Sequence, residues 1–336
     1  MQAKASKQEK SWKKSKGGAG KELVATQPRK SRFFRFMAHI KRFYWLYLFL
    51  VPGIMYIYLF KLRPIYGLQI AFKDYSIVKG IWASPWTDYF GFGHFVDLFK
   101  SVKFADVFGN SISLSLLRLL FSFPVPILLA LALNEITSTR YKKITQTIMY
   151  LPHFIGWVIV YTILQGLLSQ ANGAVNQIIA AHGGTKIPFL ASEEWFRPVL
   201  IISEIWKEAG WGTVVYLSAL AGIDPALQEA ALIDGANRWQ RIRNVYLPCI
   251  LSTVTVMLIM RMGSILNNGL DQMLLFQNSM NIDISEVLET YSYKVGLREG
   301  RYAFGTAIGL FQSVVGCIMV FLSNFISRKT GGDGLW

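Results

Sequence analysis

Six long apolar runs, at about 43–60, 107–134, 147–168, 197–221, 248–269 and 302–326, recur along this chain with polar or mixed stretches between them. A helix needs about 20 apolar residues to cross the ~30 Å of hydrocarbon in a bilayer, so each run predicts one span. The pattern therefore predicts an all-α membrane protein with six transmembrane helices. The stretch 63–106 is mixed, rich in Trp, Gly and Asp (Trp82, Trp86, Gly91, Gly93), and reads as an external loop packed on the membrane surface. The stretch 169–195 contains Gly and Asn, carries Glu193 and Glu194, and is expected outside. Between the fifth and sixth runs, 270–300, acidic residues dominate: Asp271, Asp283, Glu286, Glu289 and Glu299 face Lys294, Arg298 and the adjoining Arg301. Val287, Leu288, Tyr291 and Val295 recur there at helical spacing, which predicts a short amphipathic helix on the outer surface.

Composition agrees with that reading: 52% hydrophobic and 16% charged residues, with a mean hydropathy of +0.34. The net charge of +15 changes the picture only through its placement. Residues 1–42 hold thirteen Lys/Arg against Glu9 and Glu22, and Arg32-Phe33-Phe34-Arg35-Phe36 reads as a basic, aromatic anchor just before the first run. By the positive-inside rule this tail is cytoplasmic, as is the turn Thr137–Lys143 with its three basic residues. Arg328-Lys329 closes the sixth run, so both termini, including the short tail 330–336, are expected in the cytoplasm of a bacterial inner-membrane protein. The segment 63–106, with more Lys/Arg than acids, runs against the rule. The basic stretch is too long for a cleavable signal peptide, and no small-residue cleavage site follows it. Nucleic acid is not an expected partner; membrane lipid is. Cys249 and Cys317 fall inside spans and read as packing residues, and His39, His94, His153 and His182 are scattered, with no metal-ligand spacing.

One polar segment, 222–247, lies between the fourth and fifth runs. Asp224 is placed to cap a helix, with Pro225 at its first position. That helix ends at Asp234, and Gly235 supplies the left-handed conformation that reverses the chain. Asn237 then caps a second, basic helix that stops at Pro248. An ordinary interfacial hairpin needs no more. The pattern is more specific, however: Glu229-Ala230-Ala231, three residues, Gly235, then Leu247-Pro248. It resembles the EAA loop of permease subunits in binding-protein-dependent ABC importers. The resemblance implies that 43–329 is a six-span permease domain of the type I importer fold. It also implies that Glu229, Ala230, Ala231, Asp234, Gly235, Leu247 and Pro248 couple it to a separate ATPase, with Glu229 pairing to a basic residue there and Gly235 setting the hairpin. Implied partners are a second homologous permease, two ATPase subunits, an extracytoplasmic substrate-binding protein and a transported solute. ATP and Mg would belong to the ATPase, with no cofactor in this chain. Gly17-Gly18-Ala19-Gly20-Lys21 is no phosphate-binding loop, because Glu22 stands where a hydroxyl is needed and no strand precedes it. This chain is therefore expected to be a transport subunit, not an enzyme.

The segment 63–75 (Arg63-Pro64-Ile65-Tyr66-Gly67 through Lys73-Asp74-Tyr75), Leu274-Leu275-Phe276, 289–297 and the terminal Gly334-Leu335-Trp336 are similar to LplB-type permeases. That resemblance runs from about residue 43 onward and implies import of an oligosaccharide or polysaccharide. Relatives of that group include permeases for alginate and rhamnogalacturonan. Asn278-Ser279-Met280-Asn281 departs from the Pro or Gly-Gly element common there. Other solutes of the superfamily (amino acids, peptides, phosphate) form the alternative.

Two charges sit deep in predicted spans. Lys207 and Arg261 lie about 15 and 13 residues from the inner ends of spans four and five, roughly 20 Å deep at 1.5 Å per residue. Such groups face a bundle interior or a water-filled path. Spacing of i, i+3, i+4 and i+7 predicts that Arg261, Ser264, Ile265 and Asn268 share a helix face, with Lys207, Glu208 and Trp211 clustered opposite. These positions resemble the sugar-facing ones of the maltose importer's larger permease subunit, with Trp206 falling on a Trp. The expectation is a sugar path in which Trp211 stacks on a sugar, Ser264 and Asn268 bond hydroxyls, and Lys207 and Arg261 favour a carboxylate-bearing sugar. The competing expectation is that Glu208 merely neutralises Lys207 or Arg261 as an internal ion pair.

Overall fold

The computed structural model describes residues 39–335 apart from Lys41 and Asp333. Most of the basic tail, including Arg32–Phe36 and Gly17–Lys21, lies outside the described residues, as does Trp336. Contacts divide the chain into two units, Met1–Tyr66 and Gly67–Trp336. In the first, α1 (Tyr44–Ile57) is apolar throughout and opens on the paired rings of Tyr44 and Trp45.

The second unit is helical. In chain order it contains α2 (Gly93–Lys100), α3 (Val102–Leu117), α4 (Pro124–Asn134), α5 (Thr139–Tyr150), α6 (Trp157–Leu168), α7 (Ala174–Ala181) and α8 (Glu193–Ala221). There follow α9 (Pro225–Ile233), α10 (Arg238–Arg241), α11 (Leu251–Gly263), α12 (Leu270–Phe276), α13 (Leu288–Tyr293) and α14 (Tyr302–Lys329). Ser138 and Ser192 cap α5 and α8 by accepting the N–H of Tyr141 and Trp195, and Glu193 and Glu194 add negative charge at the start of α8.

Among the described residues three helical runs are long and apolar enough to cross a bilayer: Tyr44–Phe72, Val102–Asn134 and Tyr302–Lys329. Two bent pairs raise the number to five. The 29-residue α8 is long enough, but Glu204, Lys207 and Glu208 interrupt its apolar character. The expected third span is not one straight helix. It breaks by 100° between Thr139–Phe154 and Trp157–Leu168, because Pro152 tightens the chain into a 3₁₀ turn and Gly156 is extended (φ −65°, ψ 149°). The expected fifth span, 248–269, is shorter. It bends by 61° where Ile250 leaves the helical region after Pro248, and it ends at Gly263. Residues 264–269 are a polar turn ending at Gly269 (φ +73°), so Arg261, Ser264, Ile265 and Asn268 do not share one helix face.

Small residues let the helices approach. Any side chain on Gly210 of α8 would strike the Met149 carbonyl of α5, and one on Gly316 of α14 would strike the Gly263 carbonyl of α11. Three buried clusters result. Leu200, Met273, Phe276 and Val287 centre the first, and Leu98, Leu266, Leu288 and Ile308 the second. Ile127, Tyr216, Tyr246 and Ile250 centre the third. The short helix expected at 287–295 exists as α13, but its apolar residues Val287, Leu288, Tyr291 and Val295 are buried in protein, not laid on a surface. The mixed stretch after Tyr66 is likewise knitted together: Lys73 Nζ donates to the Ile81 carbonyl (2.7 Å) and lies over the Trp86 ring. Cys249 and Cys317 are unpaired and exposed, so they are not interior packing residues.

Candidate functional site

The polar segment between α8 and α11 forms the hairpin its sequence predicts. The Asp224 carboxylate accepts the Ala226 N–H (2.9 Å), and α9 follows from Pro225. Gly235 has φ +74°, and the Ala236 N–H returns to the Ala231 carbonyl (2.9 Å), closing the helix end. Asn237 and Gln240 form a reciprocal capping box that starts α10. Glu135, just past α4, holds the second arm through Arg241 (2.8 Å) and, more loosely, Arg238 (3.8 Å). Tyr246 and Ile250 then lock the arm into the third buried cluster. The hairpin is thus clamped at its base and open at its tip. Glu229, Ala230, Asp234, Gly235, Leu247 and Pro248 are exposed and Ala231 is half-buried. Ile233 (86% exposed) and Trp239 (69%) form an apolar tip that sequence reasoning did not single out.

The second site is a cavity of about 390 Å³ between α4, α8 and α11. Glu208, Trp211, Arg261 and Ser264 line it, as do Glu204, Ser122 and Tyr216. Lys207, Ile265 and Asn268, expected on the same path, do not. Lys207 is buried. Its ammonium donates to the His153 carbonyl (2.8 Å) and to Glu208 Oε1 (2.8 Å), and it lies over the Trp157 ring. The internal ion pair therefore joins Lys207 to Glu208. Arg261 takes a different partner, Glu204 (3.7 Å). Asn268 is fully buried, with its side-chain amide against Ser111 and Ser115, and Ser115 also bonds the Ile265 carbonyl. Both residues serve the polar turn that replaced the expected helix. Trp206 is half-exposed in a separate apolar groove.

Three residues that sequence reasoning missed complete the site. Arg118, buried in the middle of the Val102–Asn134 run, donates to the Asn268 carbonyl (2.7 Å) and Gln272 Oε1 (2.6 Å), and its Nε lies 2.9 Å from Glu204 Oε2. Glu204 thus stands between two guanidinium groups, one buried and close, one a third exposed (34%) and further away. His153, brought in by the bend after Pro152, stacks on Trp211 with centroids 4.8 Å apart and planes within 4°. Its Nδ1 lies 2.7 Å from Glu208 Oε2. Arg118 could have been found by the same rule that flagged Lys207 and Arg261, a lone charge in an apolar run. His153 carried no such signal, because its contacts exist only through the bend.

Behind the cavity, Glu289 of α13 accepts the Asn268 N–H (2.8 Å). Burial raises its carboxyl above the ordinary value, against the Asn268 and Gly269 N–H groups and the Arg118 charge, which pull it down.

The arrangement has close counterparts. The family model described as binding-protein-dependent transport system inner membrane component matches residues 122–331. Protein LplB of Bacillus subtilis (strain 168) is 44% identical over 300 residues, covering 89% of this chain and 93% of that protein. The polygalacturonan/rhamnogalacturonan transport system permease protein YteP of the same organism is 43% identical over 292 residues, covering 87% and 90%. A chain of a bacterial ABC transporter involved in the import of the acidic polysaccharide alginate is 44% identical. It has a TM-score of 0.79 and covers 88% of this chain and 99% of that one.

Proposed function

Because this chain belongs to the family of binding-protein-dependent transport system inner membrane components, we propose that it is the permease subunit through which an ABC importer carries a carboxylate-bearing oligosaccharide. Arg261 carries the substrate part of this reading. Among the described residues it is the one cation lining the cavity, and its counter-ion Glu204 already has a closer partner in Arg118. A substrate carboxylate can therefore take Arg261 without leaving Glu204 uncompensated in a partly buried site. Trp211, stacked on His153, lines the cavity where a sugar ring can pack against it, and Ser264 offers a hydroxyl. Lys207 is fully engaged and acts as scaffold. The similarity to permeases for polygalacturonan and for the acidic polysaccharide alginate supports an anionic sugar over an amino acid, peptide or phosphate.

The hairpin carries the motor part. Its exposed tip, with Glu229 on the same arm as Ile233, suits a groove on a separate ATPase, and its clamped base passes movement to α4 and α8 through Glu135, Tyr246 and Ile250. On this reading the hairpin and both termini are cytoplasmic, a second permease completes the pathway, two ATPase subunits supply ATP hydrolysis with Mg, and a binding protein delivers sugar from outside. Access alternates across the permease pair. The test is uptake into proteoliposomes by the complete transporter, comparing trigalacturonate with maltotriose. The expected result is ATP-dependent uptake that prefers the acidic sugar; equal uptake of both sugars would refute the carboxylate preference.

A further inference from the structure

A second cavity, of about 820 Å³, shares no lining residue with the first. It lies beside α6, under the segment 188–191 and the turn 278–280. Its size falls within the usual range for small-molecule sites.

Helix α6 has two unlike faces. Val160, Ile163, Leu164 and Leu167 line an apolar groove, whereas Tyr161, Thr162, Gln165 and Ser169 line the large cavity. Thr162 turns its hydroxyl back to the Val158 carbonyl (2.9 Å), but the side-chain amide of Gln165 needs water or a polar ligand beside it, since hydrocarbon would leave it unsatisfied. The walls are built, not slack. Buried Asn176 donates to the Leu168, Ser169 and Ile187 carbonyls and accepts the Ile187 N–H (2.8 Å). Asn278 donates to the Leu190 carbonyl (3.0 Å), tying the far rim across. On this frame Gln165 and Gln170 are exposed to the cavity, and their side-chain amides have no protein partner among the described residues. Among the described residues no Asp, Glu, Lys, Arg or His lines the cavity.

We propose that this cavity is a second carbohydrate site, in which the Gln165 and Gln170 amides bond sugar hydroxyls beside the Tyr161 ring. Amides both donate and accept, as hydroxyl-rich ligands require, and an uncharged lining leaves the carboxylate to be read later by Arg261. The site accepts neutral and acidic sugars alike and holds a saccharide on its way to the charged cavity. This rests on the proposed import of oligosaccharide.

The experiment uses the complete transporter with Cys249 and Cys317 replaced by Ser and with Gln165→Cys or, separately, Gln170→Cys. Labelling by a water-soluble maleimide is followed while trigalacturonate or maltotriose is added. Both sugars should slow labelling, equally at low and high salt, and also when Trp211→Ala disables the first cavity. In parallel, Gln165→Ala and Gln170→Ala should each raise the half-saturating sugar concentration for uptake by about fivefold, the loss of one hydrogen bond. Unchanged labelling in a variant that still imports trigalacturonate would remove the second site and leave the permease reading intact. So would a Gln165→Cys that the maleimide cannot reach even without sugar because the partner permease covers it. Failure of the unsubstituted transporter to import either sugar would remove the permease reading's ligand and this proposal with it.

Discussion

Glu204 Oε2 lies 2.9 Å from the buried Nε of Arg118, and this contact, made behind the cavity wall, leaves Arg261 in the cavity free to meet a ligand. Arg118 is anchored from both sides by the Asn268 carbonyl and Gln272, so it cannot leave. Arg261, at 3.7 Å and partly exposed, can.

Removing the anchor should therefore damage more than packing. Arg118→Met leaves Glu204 with Arg261 alone and should lower stability by about 3–5 kcal/mol, the usual consequence of breaking a buried pair from one side. Thermal unfolding in detergent would measure it. A second change, Glu204→Leu, should recover part of the loss; a double variant no more stable than Arg118→Met would show that the pair is not the cause.

Lys207 and Arg261 should separate cleanly. Arg261→Gln should cut the preference for acidic over neutral trisaccharide by about tenfold, the weight of roughly 1.4 kcal/mol in a charge-assisted contact. Lys207→Met should lower thermal stability while leaving that preference unchanged, because its ammonium never reaches the cavity. Competitive uptake of the two sugars reads both outcomes.

The stacked pair makes a graded prediction. His153→Phe keeps a ring against Trp211 and loses only the bond to Glu208, whereas His153→Ala loses both. Ring stacking contributes about 0.5–1.5 kcal/mol. The Ala variant should accordingly raise the half-saturating sugar concentration several-fold more than the Phe variant in the same uptake assay.

Glu289 gives a pH dependence whose sign is fixed. Its carboxyl is raised above 4.5 in the folded protein, so folding binds the proton more tightly than the unfolded chain does. That contribution is fully present below the ordinary value and is lost as pH rises through the raised one. Glu289→Gln, which keeps an acceptor for the Asn268 N–H, should flatten the fall in melting temperature over that window. An unaltered pH profile would contradict the assignment.

The hairpin turn tests conformation without sterics. A Cβ on Gly235 would meet no heavy atom within 4 Å, so any loss on substitution comes from its φ of +74°. Transport should fall in the order Gly, Asn, Ala, Val, since Asn tolerates the left-handed region and a branched residue does not. Membrane insertion should be unchanged throughout, as judged by the yield of intact protein in the membrane fraction.

Local chemistry made the hairpin legible in the sequence: Asp224, Pro225, Gly235 and Asn237 each satisfy a helix end, and each does so here. The long apolar runs were legible for the same reason. What could not be read was where a span breaks and what the break brings together. Pro152 and Gly156 were visible, yet the 100° bend that delivers His153 to Trp211 is a tertiary outcome. The helix-face assignment at 261–268 failed because Asn267, Asn268 and Gly269 make a turn, a local signal outweighed by the apolar count. The pairing of Lys207 with Glu208, next to it in sequence, required the His153 carbonyl to fix the ammonium between them.

In the proposed cycle, force enters through the hairpin between α8 and α11. With Ala231→Cys in a chain lacking Cys249 and Cys317, and a single cysteine introduced in turn along the ATPase surface that faces the membrane, oxidation should join the two cysteines as a disulfide in the assembled transporter, and ATP should change the yield. A residue 231 that reacts only with reagents applied outside the cell, and never with the ATPase, would contradict it.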